Sequence, residues 1–303
     1  MIEILKNTKI DFIGKRYIAY VFSSILIAIG IIGIIQIARG KANLGIEFAG
    51  GTLVSVKFEK EANTDEIRNA LAKAGLSGAE IQHISSENKF LIRIKKTDSE
   101  IGKISEAIQT IFTQELPGKT FVIDRSEEVG PAVGKNLQQQ AIWAIFWAMV
   151  GITIYITWRF EFTFGIAAAI ATLHDVIVLI GIIFLLNKEF TLLIITALLT
   201  IAGYSLTDTV VVFDRIRENL KFRQKENIIT VFNKSINEVL SRTVITSLTT
   251  VLAVIALLFL GGEVIHDFAF ALLCGILIGT YSSVFVASPI VVELHLKKEV
   301  KKI

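Results

Sequence analysis

The sequence predicts an α-helical integral membrane protein of six transmembrane helices, with an α+β domain of ferredoxin-like order inserted between the first two. Hydrophobic residues make up 52% of the 303 positions, and the mean hydropathy of +0.61 is too high for a soluble chain of this length. Six apolar runs come close to or exceed the roughly 20 residues that a spanning helix needs. After the first run, the pattern changes to the short alternations of a water-soluble domain.

The six apolar runs are interpreted as retained spans. No small-residue cleavage signature follows the first run, which argues against a signal peptide. The chain has three prolines, and none lies at the centre of a run. Its single cysteine, Cys274, lies in the sixth run, so packing rather than a disulfide is expected to hold the inserted domain together. In chain order, the predicted spans are residues 17–38, 141–158, 164–186, 190–213, 243–260 and 268–292.

The distribution of Lys and Arg predicts how these spans are oriented in the cell membrane. Short loops rich in basic residues stay on the cytoplasmic side. Sixteen basic residues lie in segment 1–16, at Arg159, between residues 215 and 242 and in the tail 293–303, whereas the opposite short loops contain only Lys188. We therefore expect a multi-pass protein of the cytoplasmic membrane, with both termini in the cytoplasm and the inserted domain outside.

The inserted domain, residues 39–140 with its flanking segments, is predicted to fold as β-α-β-β-α-β. Strands are expected at residues 52–59, 80–85, 90–95 and 120–124, with a turn at 86–88. Amphipathic helices follow the first strand, capped by Asn63 or Thr64, and the third, with its apolar face starting at Ile101. This order is that of a ferredoxin-like fold, which hosts many functions and indicates none of them. His83 is expected to be a surface residue.

Two glycine-bearing segments flank this domain. Residues 45–52 include Gly50 and Gly51, and residues 129–134 include Gly130. Glycine allows backbone angles that are closed to other residues, which is consistent with tight turns at the membrane surface. A second interpretation is that the segments are two hinges about which the domain moves. The pattern alone leaves both open.

Polar residues inside the apolar runs are the candidate functional residues. An ionised side chain at the bilayer centre costs roughly 2.5–3.5 kcal/mol on insertion scales, so each one requires an explanation. Asp175 follows His174 near the centre of the third run. Asp208 lies in the fourth run, and the side chains that share or adjoin its helical face are Thr200, Tyr204 and Ser205.

Arg242 begins the fifth run, and Thr246, Thr249 and Thr250 continue the same polar seam. Hydroxyl groups along such a seam carry water or protons in some proteins and only join helices in others, and both interpretations stay open. Arg242 is either a switchable partner of Asp208 or an ordinary basic residue at a cytoplasmic helix end. For Asp175, the alternative to a proton-carrying role is a structural hydrogen bond to a neighbouring helix.

The remaining segments predict neither an enzyme nor a metal site. Residues 214–242 are expected to form a cytoplasmic loop with an amphipathic helix on the membrane surface. Its basic residues are explained by anchoring, without a specific nucleic acid partner. No solvent-accessible segment combines a nucleophile with a base, a phosphate-binding glycine loop or a Cys/His cluster. We expect no cofactor.

Several motifs resemble the SecF family of the bacterial and archaeal protein-export machinery. The most specific is GYSLTDTVVVFDRIREN at residues 203–219. Others are LHD at 173–175, LSRT at 240–243, FAGG at 48–51 and VGP at 129–131, in family order over nearly the whole chain. SecF belongs to the RND superfamily, whose half-transporters have one helix, an outer domain and then five helices. The topology predicted above is that arrangement.

The resemblance implies a role in polypeptide export. In the family, SecF pairs with SecD as a pseudo-symmetric twelve-helix unit beside the SecYEG channel. The pair uses the proton motive force to draw the emerging, unfolded polypeptide outward after the ATPase SecA has acted. The implied partners of this chain are therefore SecD as an obligate partner, SecYEG, SecA indirectly, YajC and YidC, the client polypeptide and membrane lipid.

The resemblance also assigns residues. Asp208 matches the proton-relay aspartate of the family and Arg242 its partner arginine, with Asp175 as a further candidate. Thr207 stands where the family commonly has Asn, a change that affects a hydrogen bond to the acid. Gly50, Gly51, Gly130 and Gly203 match the motif glycines. The relay is thought to include an acidic residue of SecD, which this chain does not contain.

Two other classes of function compete with this one. The first is an RND-type half-transporter that exports a lipid or small molecule as a homodimer. Its relatives usually have larger outer domains with substrate pockets. The second is a purely structural assembly subunit, which would leave the polar seams without a use. Neutralising Asp208 separates the structural subunit from the two pumps.

Overall fold

The computed structural model describes residues 8–84, 88–94, 104–223 and 226–300. The chain forms two compact units, Met1–Asn43 with Trp143–Ile303, and Leu44–Ile142. The predicted turn at 86–88 lies largely outside the described residues. So do other positions that entered the predictions, namely Lys6, Ser85, Lys95, Ile101, Lys225, Lys301 and Lys302.

Within the described chain, six helices are long and apolar enough to cross a membrane. Span one is α1 (Arg16–Ala38), span two α5 (Pro131–Arg159) and span three α6 (Phe162–Leu185). Span four is α7 (Leu192–Phe222) and span five α8 (Ile228–Leu260). Span six consists of α9 (Glu263–Ser282), a π-helical turn (Ser283–Ala287) and α10 (Ser288–Val300). The predicted number of spans is confirmed.

Spans four and five continue beyond their apolar runs and meet in a helical hairpin. The predicted separate surface helix within 214–242 is wrong, because its residues belong to the two spans. Asn227 caps the start of span five by accepting a hydrogen bond from the amide of Ile229 at 2.9 Å. Arg215 and Asn219 of span four both contact the Glu238 carboxylate of span five, at 2.6 and 2.7 Å. Hydropathy marks only the lipid-embedded part of a helix, so it missed these extensions.

The N-terminal segment packs against this hairpin. The Asn233 carboxamide oxygen accepts hydrogen bonds from the amides of Phe12 and Ile13 at 2.9 and 3.0 Å. Asn237 bonds both the amide and the carbonyl of Ile10, at 3.0 and 2.9 Å. Phe12 and Ile13 are buried in the same hydrophobic cluster as Phe213, Ile216 and Phe232 of the hairpin helices. The chain before span one is therefore part of the membrane unit.

The inserted domain has the predicted ferredoxin-like order. Its strands are β1 (Gly51–Phe58), β2 (Glu80–Ile84), β3 (Lys89–Ile94) and β4 (Phe121–Val129), and all the pairings are antiparallel in the order β2-β3-β1-β4. Helices α3 (Thr64–Lys73) and α4 (Ile104–Glu115) alternate with them. Alternate residues of β1 and β3 pack on the apolar faces of these helices. This core includes Val54, Val56, Phe58, Ile67, Leu71, Phe90, Ile92, Ile108 and Phe112.

Local chemistry sets the ends of the first helix of the sheet domain. Asn63 and Glu66 form a reciprocal capping box at the start of α3. Gly75, with a φ of +82°, follows the end of α3, where only glycine adopts the left-handed conformation without strain. His83 is exposed and stacks on Phe90 with ring centroids 4.3 Å apart, as expected of a surface strand residue.

The two glycine segments contact each other. The short helix α2 (Ile46–Ala49) packs on the first turns of α5, where a Cβ added at Gly134 would lie 2.9 Å from the carbonyl oxygen of Phe48. Gln138 donates a hydrogen bond to that same oxygen at 2.8 Å. Gly50 has a φ of +72°, and its added Cβ would lie 3.1 Å from Cα of Pro131. The two segments are thus packed against each other in what we call the glycine junction, and movement of the domain about them stays a prediction.

Candidate functional site

Spans three, four and six enclose the first of two buried carboxyl groups. Asp175 has no exposed surface, and its carboxylate accepts hydrogen bonds from Ser205 at 2.5 Å and Ser282 at 2.7 Å. Its other oxygen lies 2.8 Å from Nδ1 of His174. A buried carboxyl costs free energy unless polar groups surround it, and this one has three such neighbours. Asp175 therefore links three spans.

Small residues make this arrangement possible. A Cβ added at Gly279 of span six would lie 2.8 Å from Cβ of Ser205. A Cβ added at Gly275 would lie 2.4 Å from a side-chain carbon of Ile201. The two glycines thus bring span six against span four, as the four-residue spacing of the pair predicts.

The π-helical turn of span six begins one residue after Ser282, which bonds Asp175. A π-helical turn has more residues than an α-helical turn, so its side chains point in different directions, and such turns occur frequently at functional sites. Ser282 precedes the turn and bonds Asp175, while Ser283 begins it and lies 2.8 Å from Thr209 of span four, oxygen to oxygen. Consecutive serines therefore both reach polar partners inside the bundle.

Asp208 is the second buried carboxyl group, and spans five and six surround it. Asp208 is only 5% exposed. Ser247 donates a hydrogen bond to one carboxylate oxygen at 3.2 Å, and Thr246 approaches the other at 3.5 Å. The Ser247 hydroxyl in turn lies 2.7 Å from that of Thr280. Hydroxyl groups, rather than a cation, are the hydrogen-bond donors to Asp208.

Arg242 is exposed and is not paired with Asp208. Among the described residues, no ion pair within 4.0 Å involves Arg242, although it lies one turn before Thr246 on the same helix. Thr246 donates to the Arg242 carbonyl at 3.0 Å and faces Asp208 at 3.5 Å. Arg242 is thus one helical turn from Thr246, a residue that faces the acid, and the guanidinium itself lies on the adjoining surface without pairing with Asp208.

The other seam residues divide between the interior and the surface. Ser205 is fully buried, and Tyr204 donates to Thr250 across spans four and five at 3.4 Å. Thr200 is exposed and bonds the carbonyl of Thr196 in its own helix at 2.8 Å. Gly203 is also exposed, and an added Cβ there would meet nothing within 4 Å.

Six exposed residues form what we call the polar stripe. Thr200, Gly203 and Thr207 recur on one face of span four, at spacings of three and four residues. Arg242, Thr246 and Thr249 recur on span five in the same way. The two spans contact each other along their length. The stripe lies beside Asp208, and its residues are surrounded along the sequence by the apolar residues of spans four and five.

Sequence reasoning missed four hydroxyl side chains of this site: Ser247, Thr280, Ser282 and Ser283. Hydroxyl residues are common in spanning helices as interhelical contacts, so their type alone gave no signal. Three of them, Thr280, Ser282 and Ser283, follow Gly279 within four residues. That proximity to the packing glycine is the sequence feature that groups them. Among the described residues, no group of three or more His, Cys, Asp or Glu side chains is arranged to hold a metal ion.

The motif glycines have different surroundings. Gly50 and Gly51 have φ values of +72° and +135°, and both lie in the glycine junction. Gly130 precedes the first residue of α5 and accepts a hydrogen bond from the amide of Gly134 at 3.0 Å. Gly203 belongs to the polar stripe. The four glycines therefore lie in two places, the junction and the stripe.

Two family models match the chain. The model described as "Protein export membrane protein SecD/SecF, C-terminal" matches residues 109–297. The model described as "SecD/SecF GG Motif" matches residues 41–62, which contain Gly50 and Gly51. The first covers all the spans except span one, and the second covers the start of the glycine junction.

Curated relatives match over the full length. A protein translocase subunit SecF of Thermodesulfovibrio yellowstonii is 50% identical over 304 residues, covering 100% of both chains. One from Calditerrivibrio nitroreducens is 43% identical and covers 99% of this chain and 98% of its own. One from Vibrio alginolyticus is 41% identical over 99% of this chain and 94% of its own.

Solved structures of SecDF are similar in fold. The crystal structure of SecDF from Thermus thermophilus, described as a translocon-associated membrane protein, has a TM-score of 0.85 and is 36% identical over 95% of this chain. SecDF in a super-membrane-facing form has a TM-score of 0.72 over 98% of this chain. This chain spans 39% and 40% of the length of those two.

Proposed function

The chain belongs to the SecF family of protein translocase subunits, and on that premise we propose that it is the SecF half of a proton-driven SecDF-type complex. It is a multi-pass membrane protein with a transport role in protein export. The complex promotes the later steps of polypeptide export through the SecYEG channel. Protons are its coupling ion.

The polar stripe beside a buried Asp208 is the observation that supports this proposal most strongly. Polar side chains within spanning segments face protein or water rather than lipid. A stripe exposed on the described chain is therefore a surface for further helices. SecD supplies those helices, because the similar SecDF chains are more than twice as long as this one.

The polar stripe also favours a complex with SecD over a homodimer of this chain. Two copies of this chain would bring two Arg242 guanidinium groups to one interface, with no exposed carboxylate among the six stripe residues to offset them. A partner that contributes an acidic residue completes the charge balance. The names of the relatives also favour a translocase subunit over an exporter of lipid or small molecules.

The geometry of Asp208 supports the proposed proton step. A carboxyl group surrounded by neutral hydroxyl and apolar groups holds a proton more readily than one beside a guanidinium group. In the arrangement described here, Asp208 is bonded to Ser247 and Thr246, and Arg242 is separate. Movement of span five that brings Arg242 to Asp208 releases the proton.

The orientation is part of the proposal. Both termini and the helical hairpin between spans four and five are cytoplasmic, and the inserted domain is extracytoplasmic. The excess of basic residues at the hairpin and the termini supports this orientation. Protons enter from the outside, and the client polypeptide is drawn to that same side.

Asp208→Asn and Arg242→Leu test the proposal. Each is expected to abolish the part of export that an imposed pH gradient stimulates, because one removes the proton site and the other its release. Export is measured in vesicles reconstituted with SecYEG, SecA, SecD and this chain. The early ATP-driven step by SecA is expected to persist, and SecD is expected to co-purify with both variants.

The matched control is Asp214→Asn, which neutralises an exposed carboxylate six residues further along span four, 3.4 Å from Arg159. Its gradient-stimulated export should equal that of the parent chain. Full stimulation in Asp208→Asn would remove Asp208 from the relay and make Asp175 the first candidate. Recovery of this chain as a homodimer without SecD would overturn the proposal that SecD is its partner.

A further inference from the structure

A cavity of about 280 Å³ lies between spans one, three and six, on the side of the bundle that the relay does not use. Span one contributes Tyr20, Ser23 and Ser24 to its walls, span three contributes His174, and span six contributes apolar residues. Asp175, the neighbour of His174, is hydrogen-bonded on its other side to spans four and six. The cavity is therefore one side chain away from a buried carboxyl group.

Two buried polar atoms at this cavity have no hydrogen-bond partner within the described chain. They are Oη of Tyr20 and Nε2 of His174. His174 is only 3% exposed, and its Nδ1 lies against Asp175. Because this contact fixes the ring, Nε2 points away from Asp175 and needs a different hydrogen-bond partner. An unsatisfied buried polar group is costly, so such atoms require an occupant of the cavity.

We propose that the cavity is a hydrated site, in which water bridges Tyr20 and His174 and connects Asp175 to the aqueous phase by a route that does not pass Asp208. The volume holds several molecules, since the share of one water in the liquid is about 30 Å³. Tyr20 Oη, the serine hydroxyls and His174 Nε2 supply the polar partners that bound water needs. A lipid acyl chain would fill the space but would leave both buried atoms unsatisfied.

Charged groups continue from the cavity to the end of the bundle. Arg16 lies one helical turn before Tyr20, and its Nε is 2.8 Å from a carboxylate oxygen of Glu293 in span six. Tyr281 of span six contacts Ser23 of the cavity wall and donates to the carbonyl of Ala19, both at 3.1 Å. The ion pair thus lies at the end of the bundle that is proposed to be cytoplasmic, and Tyr20 is the tyrosine of the cavity wall.

Cysteine accessibility tests the proposal on the full chain in lipid vesicles. The background is Cys274→Ser, which removes the single native thiol. Ser24→Cys places a thiol at the cavity, and Ile25→Cys places one at nearly the same depth on a face that is 56% exposed. The cysteine thiolate, which forms in contact with water, attacks a charged methanethiosulfonate reagent and displaces its sulfinate group. Modification of Ser24→Cys is expected to be at least about tenfold faster. Equal rates at the two positions would overturn the proposal.

A second measurement does not depend on cysteine variants. Solid-state NMR of the parent chain with ¹⁵N-labelled histidine follows transfer of magnetisation from water to each imidazole ring. The other three histidines are assigned by His83→Asn, His266→Asn and His295→Asn, which leaves the His174 signals identified without altering that residue. Transfer to the His174 ring within seconds, weakened in Tyr20→Phe, is the expected result. A His174 ring that receives no magnetisation from water would show that the cavity is dry.

Discussion

At the scale of single residues, glycine positions decide how close the spans come and which surfaces stay open. Gly279 has Ser205 against it, whereas Gly203, on the face of span four that carries the polar stripe, has free space around it. Gly279 thus belongs to the interior of this chain and Gly203 to its surface. The two glycines have different roles although both are in apolar helices.

Gly279→Val and Gly203→Val separate these roles. Valine at 279 collides with Ser205, and overpacking of this kind costs typically about 1–3 kcal/mol. We expect a lower unfolding temperature for the purified chain in detergent. Valine at 203 should leave that temperature unchanged and weaken co-purification of SecD, because it enlarges the surface that SecD covers. Equal effects of the two variants on the isolated chain would contradict the distinction.

The sequence predicted the charged members of the site better than the neutral ones. Asp175 and Asp208 are conspicuous because a carboxyl group in an apolar run is costly. Ser247 and Ser282 are not, since serine is tolerated in spanning helices for many reasons. The π-helical turn that aims Ser282 and Ser283 depends on packing between spans, which no local pattern encodes. The orphaned Nε2 of His174 likewise becomes visible only with the neighbouring helices in place.

At the scale of elements, the inserted domain combines a packed core with exposed ion pairs. Lys119 donates a hydrogen bond to Glu66 at the start of α3, which holds the pKa of that carboxyl below its ordinary value. Lys89 does the same for Asp124 across the sheet, at 2.7 Å. A carboxyl group with a lowered pKa in the folded state stabilises that state once it is ionised.

The stability of the domain should therefore fall in acid. The stabilisation is complete above the unfolded pKa values of about 3.9 and 4.3 and is lost as the pH falls through the lower folded values. A fragment of residues 44–142, which includes the glycine junction, is the sample, and its unfolding temperature is measured from pH 7 to pH 2. Glu66→Gln should be less stable than the parent fragment at pH 7 and equal to it at pH 2.

Glu61→Gln is the control for this experiment. Glu61 is an exposed carboxylate just before α3 and is not part of the capping box. Its substitution should leave the pH profile close to that of the parent. A parent profile that is flat between pH 5 and pH 2 would show that these ion pairs do not stabilise the domain.

Element types were more predictable than element ends. Alternation and amphipathic spacing identified the four strands of the inserted domain and its helices α3 and α4, because one face of each is buried in a single core, but they missed the short helix α2. The start of span two at Pro131 was missed by ten residues, since its first turns are polar. These turns are nevertheless helical, because Gly134 and Gln138 pack on α2. Tertiary contact, rather than hydropathy, sets that end.

At the scale of the whole molecule, the orientation proposed from charge is open to direct measurement. On the background Cys274→Ser, Gly78→Cys and Glu226→Cys place thiols in the inserted domain and in the hairpin between spans four and five. Gly78 has open space around it, so a side chain is tolerated there. In intact spheroplasts, an impermeant maleimide should modify Gly78→Cys and spare Glu226→Cys. The reverse pattern would mean that the orientation is wrong, and lysed cells control for thiol reactivity.

The unbroken helices of spans four and five act as levers. The part of span five between its first residue, Ile228, and Arg242 is 14 residues long. At about 1.5 Å per residue, this is a length of about 21 Å. A tilt of about 5° at the site then displaces the tip by about 2 Å. Because Glu238 joins the two arms and Asn233 holds the N-terminal segment, that displacement moves together the whole surface that we propose to be cytoplasmic. In the proposed mechanism, gain or loss of one proton is thereby amplified into a mechanical signal on the face opposite the exported chain.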